Sequence, residues 1–325
     1  MVSRPSLPAA EARDLAAERW GIEGNASPLP SERDQNFLIE TVQGRYVLKA
    51  ANVAEPRAVL DMQNRAMERL VEAGLPCPSP VPDRAGRDIA VHHGYQFRMV
   101  GYLKGRPLAE VHPRSPQLLR DLGATMGAVD RALDGFEHPA ASRDLYWDVR
   151  HAERVIGERL EFIDRPGGRD LVARTLDRFT TSVRPAIGDL RRAVIHNDAN
   201  DHNVLVDQRA RRMTGLLDFG DMVQTVVANE VAVAAAYAIL GETEPVDAAR
   251  AVVGGYRSVA PLDPGDLAIL MDLIRTRLAT SVSVAAHQHA LRPDDPYLTV
   301  SEDKAWILLE RLDAIDPRTA RAAFL

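Results

Sequence analysis

An α+β fold of two lobes is expected for this 325-residue chain: a small strand-rich lobe over residues 1–104 and a larger helical lobe over residues 105–325. Three observations predict it. Before Lys104, apolar residues alternate in short runs around one main helical segment. After it, they recur at helical spacing in one segment after another. Between the two lies Lys104-Gly-Arg-Pro107, a glycine and proline break of the kind that ends regular structure.

The elements follow in order. Residues 10–21 read as a short helix that stops at Gly21. Asn36–Glu40 and Arg45–Ala50 alternate as strands, and Val42-Gln43-Gly44 makes the tight turn of a hairpin. Residues 56–73 keep a helical period: Leu60, Gln63, Met67, Leu70 and Val71 share one face, and Asp61, Arg65, Glu68 and Glu72 share another. Gly74-Leu-Pro-Cys-Pro78 ends that helix. Asp88–His92 and Tyr95–Leu103 are two further strands, joined at His93-Gly94. Residues 115–133, 148–164 and 169–187 read as helices. Two short strands flanked by loops come next, and residues 228–240, 246–258, 264–290 and 301–313 are again helical. Strands first and helices afterwards is the α+β order.

Composition narrows the function classes. The chain is 46% hydrophobic and 26% charged, an ordinary globular balance. Its net charge of −6 sets a general nucleic-acid binder aside and suits a cationic partner weakly. A single cysteine, Cys77, excludes an intrachain disulfide and fits a reducing compartment. In its Leu-Pro-Cys-Pro loop it reads as a small structural residue. The first twenty residues lack an apolar signal core. The longest apolar run, Val226–Leu240, is interrupted by Asn229 and Glu230 and is too short to span a bilayer. A cytoplasmic protein with no nucleic-acid or membrane partner is expected; nothing in the sequence sets its oligomeric state. Only three of its cations are lysines, Lys49, Lys104 and Lys304, so each lysine invites a reason.

Residues 194–220 carry the chemistry. They place His196, Asp198, Asn203 and Asp218 close together, with Asp198 and Asn203 five positions apart and Asp218 fifteen further on. Phosphoryl transfer from a nucleoside triphosphate needs this set. A carboxylate, Asp198, orients the attacking hydroxyl and accepts its proton. The amide oxygen of Asn203 and the carboxylate of Asp218 suit a hard cation, Mg2+. Val194-Ile195 reads as the strand that delivers His196, a loop support. Gly220 is expected to supply the sharp turn after Asp218.

Lys49 ends the strand Val47-Leu48-Lys49, where a point-charge cation for the nucleotide phosphates belongs. Gln63 is the expected neighbour of this lysine, because it shares the apolar helix face while Asp61 points about 200° away. The stretch Leu29–Phe37 lacks a G-x-G-x-x-G pattern, but Ser31, Gln35 and Asn36 offer phosphate donors.

These motifs together resemble the aminoglycoside phosphotransferase-like superfamily of small-molecule kinases, whose fold is bilobal and protein-kinase-like. Its H-x-D-x-x-x-x-N motif is matched by His196–Asn203, its second metal motif by Asp218-Phe-Gly-Asp221, and its lysine strand by Val-Leu-Lys49. Within the superfamily the chain is most similar to hydroxylysine kinases, through Glu32–Phe37, Tyr146–Val149, Asp218–Met222 and Asn229–Val233. The resemblance implies ATP or GTP as co-substrate and a nucleotide hinge at Val100–Leu103, with backbone groups of Gly101 and Leu103 reading the purine edge. It implies a small amine-bearing acceptor with a hydroxyl. Two positions depart from the family pattern. Asn197 replaces a common glycine, a change given little weight. Gln63 replaces a common glutamate, which puts the usual lysine–glutamate ion pair in doubt.

An amino-acid acceptor would need a cation for its carboxylate and acids for its ammonium. Arg277 is the candidate for the first. Trp147, Asp148, Asp201, Asp221 and Glu230 are the candidate wall and acids. A hydroxylated amino acid or amino alcohol leads as acceptor, an aminoglycoside follows, and a catalytically silent nucleotide-binding module is the alternative of another class. A protein kinase fits less well, since no Ala-Pro-Glu segment follows Asp218-Phe-Gly.

Overall fold

The computed structural model describes residues 5–31, 33–291 and 302–325. Glu32, in one segment behind the resemblance, and Ser301, the start of an expected helix, lie outside the described residues. The chain falls into two compact units, and the division is not a single cut. The first runs to Lys104 and includes His138–Ala141 and Gly215–Gly220; the second comprises Gly105–Glu137, Ser142–Thr214 and Asp221–Leu325.

The first unit opens with α1 (Ala9–Leu15), which runs into a π-helical turn, Ala16–Trp20, and ends where Gly21 adopts a φ of 70°. Then come β1 (Asn25–Leu29), β2 (Gln35–Glu40), β3 (Arg45–Ala50), α2 (Arg57–Glu72), β4 (Pro80–Val81), β5 (Ala90–His92) and β6 (Tyr95–Gly101). The strands form one sheet in the order β1-β2-β3-β6-β4, with β5 also paired to β6. β1 pairs antiparallel with β2, β2 with β3, and β3, β4 and β5 each with β6.

The two-residue period of the strands decides what each face holds. Phe37 and Ile39, Leu48 and Ala50, and Phe97 and Met99 form a buried cluster with Leu7, Ala12, Leu15, Ala16 and Trp20. Register brings them together: Phe37 faces Leu48, Leu48 faces Met99, and Ala50 faces Phe97. The opposite face carries a polar row, Asn36, Lys49 and Arg98, aligned across three strands. β1 escaped sequence reading because Pro28 interrupts it; at the sheet edge a missing N–H is tolerated. Cys77 is buried, its thiol pushed up to about 12 by that burial, as a structural residue requires.

The chain continues through β7 (Arg106–Pro107), α3 (Pro116–Ala132), α4 (Ala152–Gly157), α5 (Gly168–Arg178), α6 (Arg184–Ala186), β8 (Arg192–Ile195), β9 (Val204–Val206), β10 (Met213–Leu216) and β11 (Val223–Val226). It ends in α7 (Ala228–Ala238), α8 (Pro245–Arg257), α9 (Pro264–Leu291), α10 (Glu302–Asp313) and α11 (Pro317–Ala322). Two small sheets, β10-β9-β7 and β11-β8, frame residues 194–220. Two expected helices are broken. Residues 148–164 form a 3-10 turn, α4 and a second 3-10 turn. Residues 169–187 pass from α5 through a π-helical turn into α6, where Pro185 cannot donate to a helical hydrogen bond. Among the described residues no helix is long and apolar enough to cross a membrane.

α3 and α8 meet backbone to backbone. A Cβ on Gly123 would lie 1.9 Å from the carbonyl oxygen of Val252, and one on Gly255 would lie 2.0 Å from that of Arg120. Only hydrogen fits at either position. Gly255→Ala is therefore expected to force the helices apart and destabilise the protein by about 1–3 kcal/mol or more. A thermal melt checks this, and an unchanged Tm would show that the helices can separate freely.

Candidate active site

The first unit holds the residues suited to a nucleotide. Lys49 lies in β3 between Asn36 and Arg98 and is partly exposed. Arg98 is buried at 3% exposure. Its Nη2 donates to Oε1 of Gln63 at 2.7 Å, and its Nη1 to Oδ1 of Asn64 at 3.1 Å and to the Leu60 carbonyl at 3.4 Å. The amide oxygen of Gln63 is thus given to Arg98, which corrects its expected place as the partner of Lys49. The reason is burial. Arg98 has no water to turn to and must find acceptors inside, whereas the partly exposed lysine need not. Burial pulls Arg98 down to about 10, against the carboxylates of Asp34, Asp218 and Glu55, so it stays protonated at neutral pH. Asp61 turns elsewhere, to Arg65 at 2.9 Å and His138 at 3.1 Å.

One further expectation is narrowed here and another corrected. The Gly101 N–H donates to the Ser79 carbonyl at 2.8 Å and that of Tyr102 to the Arg45 carbonyl at 3.1 Å, so neither amide is open to a purine edge. Leu103 follows, partly exposed. The turn after β10 is made by Asp218 itself, at φ 55°, and not by Gly220. The Gly220 N–H donates to Oδ1 of Asp218 at 3.0 Å, and a Cβ there would crowd the same oxygen at 3.0 Å. Glycine is needed for closeness. Asp218 is exposed, and Ser31 is partly buried between β1 and β2.

The second unit holds the residues suited to the acceptor. β8 ends at Ile195 and delivers His196, which is fully buried; its Nδ1 accepts from the Asp198 N–H at 3.3 Å. Three side chains donate to the Asp198 carboxylate. Arg277 Nη2 reaches Oδ1 at 2.8 Å, Asn200 Nδ2 reaches each oxygen at 3.1 Å, and Asn203 Nδ2 reaches Oδ2 at 2.7 Å. Asn203 also donates to the Asp198 carbonyl at 3.0 Å. With its nitrogen engaged there, its amide oxygen is turned away from Asp198. Asn203 and Asp218 are oxygen donors, one neutral and one anionic, so the donor set fits a hard divalent cation.

Asn197 shapes this loop, contrary to the small weight its sequence position suggested. It adopts a φ of 66° and is wholly buried. Its N–H donates to Glu230 Oε2 at 3.0 Å, and its Nδ2 reaches the carbonyls of Asp221 at 3.3 Å and Trp147 at 3.4 Å. Its Oδ1 accepts from Asn229 Nδ2 at 2.7 Å. Asparagine tolerates the left-handed region better than most residues, and a glycine would leave these partners without it.

The candidate acids Asp148, Asp201, Asp221 and Glu230 are all buried. Asp148 is 1% exposed and caps a 3-10 turn; it accepts from the Arg150 N–H, the Arg150 guanidinium and the Thr225 hydroxyl, the last at 2.7 Å. It has no capacity left for a substrate ammonium. Asp201 is buried beside Arg114 at 3.6 Å, and Arg114 donates to the Tyr237, Ala238 and Leu240 carbonyls at the end of α7. That ties the loop after β8 to a helix C-terminus, where a cation belongs. Asp221 is buried, its carbonyl held by Asn197. Trp147, partly exposed, stacks on Arg277, whose guanidinium carbon lies 4.3 Å from its ring centre.

Glu230 is fully buried in α7, and burial raises it to about 7, against the amides of Asn197 and His196 and the charge of Arg277. Asp130 is also raised, by burial and then by Glu230. The folded state therefore holds protons that the unfolded chain releases near the ordinary carboxylate range. Stability is full below that range and falls as pH rises through it towards about 7. Glu230→Gln keeps an acceptor for Asn197 and removes the titration. It is expected to flatten this fall and to gain on wild type by roughly 1–3 kcal/mol at pH 8. Urea melts at pH 5 and pH 8 check it; parallel losses in both proteins would contradict the assignment.

Sequence reading missed Arg98, Asn64, Asn229, Arg114 and Tyr237. The one signal available was Arg98 itself, a cation inside the apolar run Phe97–Val100.

The chain is similar in sequence and fold to several known proteins. The model of the phosphotransferase enzyme family matches residues 25–264. Hydroxylysine kinase of Mus musculus is 28% identical over 95% of this chain and 90% of its own length. Homoserine kinase of Rhodopseudomonas palustris is 28% identical over 81% of each. Among solved structures, a microcompartment-associated aminopropanol kinase superposes with a TM-score of 0.74 at 19% identity, over 95% of this chain and all of that one. An amicoumacin kinase in complex with AMP-PNP, Ca2+ and its ligand does so at 0.72 and 16%, over 96% and 97%. The match over most of its length shows that the chain belongs to the phosphotransferase enzyme family, as a small-molecule kinase with a hydroxyl acceptor.

Proposed function

We propose that the protein transfers the terminal phosphoryl group of ATP or GTP, with Mg2+, to a hydroxyl of a small amine-bearing molecule, a hydroxylated amino acid or amino alcohol. The observation that carries this is Asp198, an oriented carboxylate held by Asn200, Asn203 and Arg277. The relatives named for hydroxylysine and homoserine support the acceptor class. The reading takes the protein as cytoplasmic, where nucleoside triphosphates are abundant.

Each residue has a stated part. Asp198 accepts a hydrogen bond from the acceptor hydroxyl, aims its oxygen and takes its proton as the bond to phosphorus forms. Lys49 offers its ammonium to the nucleotide phosphates, on a sheet face where Arg98 adds a second positive charge. Asn203 and Asp218 would hold Mg2+, which when bound would neutralise charge on the phosphates. A silent module does not require Lys49, Asp198, Asn203 and Asp218 together.

A nucleotide-consumption screen tests this. ATP and GTP are offered with hydroxylated amino acids, amino alcohols and aminoglycosides, with and without Mg2+. Magnesium-dependent turnover is expected with an acceptor of the first two groups. Turnover confined to aminoglycosides would overturn the acceptor class, and none with any acceptor would overturn the reading.

A further inference from the structure

Arg277 is more than the partner of Asp198. It lies in α9 at 5% exposure. Nη2 is taken by Asp198, but Nε and Nη1 meet no acceptor at hydrogen-bond geometry among the described residues. Three of the five guanidinium N–H bonds are therefore buried with no acceptor at that geometry, and of the groups around them the Tyr237 hydroxyl answers them only in part. A buried N–H left without an acceptor is destabilising. The rings of Trp147, at 4.3 Å, and Tyr237, at 5.4 Å, offset part of this. A scaffold ion pair needs one carboxylate and no surplus donors. A lysine would hold Asp198 with fewer N–H bonds to satisfy.

We propose that the open nitrogens of Arg277 are the subsite for a carboxylate on the acceptor, so that the substrate is a hydroxy amino acid and not its decarboxylated amino alcohol. This rests on the phosphotransferase reading and narrows it. The acceptor carboxylate and Asp198 share one guanidinium, so binding the first sets the substrate hydroxyl against the second. Nε and Nη1 are shielded, and Trp147 is the partly exposed wall beside them. Its ring gives way as the carboxylate enters. The planar fork also holds the carboxylate in one orientation, which a lysine would not.

Matched acceptors test it: homoserine against 3-aminopropan-1-ol, and hydroxylysine against its decarboxylated diamine. Wild type is expected to favour the carboxylate-bearing member of the pair it uses by about 100-fold or more in kcat/KM. In Arg277→Lys and Arg277→Gln that ratio should fall below about tenfold, mainly through KM of the amino acid. Lower kcat on both acceptors is also expected, because Arg277 touches Asp198. The ratio separates the two roles, since a residue that only positions Asp198 slows both acceptors equally. An unchanged ratio in the variants, or equal use of both members by wild type, would overturn the subsite and leave the kinase reading intact. Turnover only with hydroxyl compounds outside both pairs would overturn it too. If no acceptor supports nucleotide consumption, the kinase reading falls first and the subsite with it. The wild-type ratio decides even if a variant does not fold.

Discussion

Asp198→Asn is expected to lower kcat by about 100- to 10,000-fold while leaving nucleotide binding intact. Two effects combine. The amide cannot accept the acceptor proton. It also brings an NH2 group to a place where the side chains of Asn200, Asn203 and Arg277 all donate. At least one of those donors then faces another donor, and the side chain leaves its present rotamer. Folding should suffer little, because the residue is only partly buried. Steady-state kinetics read the loss, and the thermal shift produced by Mg2+ and nucleotide reads the retained binding. A variant that kept more than about a tenth of wild-type kcat would remove Asp198 from its role.

Asn197→Ala is expected to cost about 3 kcal/mol of stability. The left-handed backbone is unfavourable for alanine by about 1–2 kcal/mol. Loss of the side chain strands Nδ2 of Asn229, a buried donor, at about 1–3 kcal/mol more. Asn197→Gly relieves the backbone part and keeps the stranded donor. Alanine should therefore be less stable than glycine by about 1 kcal/mol, and glycine less stable than wild type. Chemical denaturation of the three proteins separates the contributions. A glycine variant as stable as wild type would show that the side-chain bonds contribute nothing.

These two residues also mark how far the sequence could be read. Asp198 and Asn203 are five apart on one loop, so their spacing is a local property. The hydrogen bond between them needs only the turn that Asn200 closes with the N–H groups of His202 and Asn203. Strand and helix periods likewise placed the β2–β3 hairpin and α2, because one face of each is buried. Asn197 is different. Its partners Asn229, Glu230 and Trp147 lie more than thirty residues away, and no period along the chain points at them. The same holds for Gln63. Helical phase correctly turned it inward, but which cation it meets depends on register in β6, and Arg98 takes it. β1 was hidden by Pro28. The π-helical turn at Phe179–Val183 was hidden because the apolar pattern runs on through it. The burial of Asp148, Asp201 and Glu230 was equally hidden, because sequence shows charge and not burial.

The clamp between Arg98 and α2 has a bearing on control. For α2 to swing away, Arg98 would have to surrender Gln63, Asn64 and the Leu60 carbonyl while still buried. Stranding a buried charge costs about 3–5 kcal/mol, so the displaced form would be on the order of one molecule in a thousand. No ion pair stands between Gln63 and Lys49 for a regulator to break. The helix is in effect soldered to its sheet, and the enzyme has no idle setting at this position. Its output should follow the supply of acceptor and nucleotide, and α2 amides should exchange with deuterium only as slowly as the core strands do.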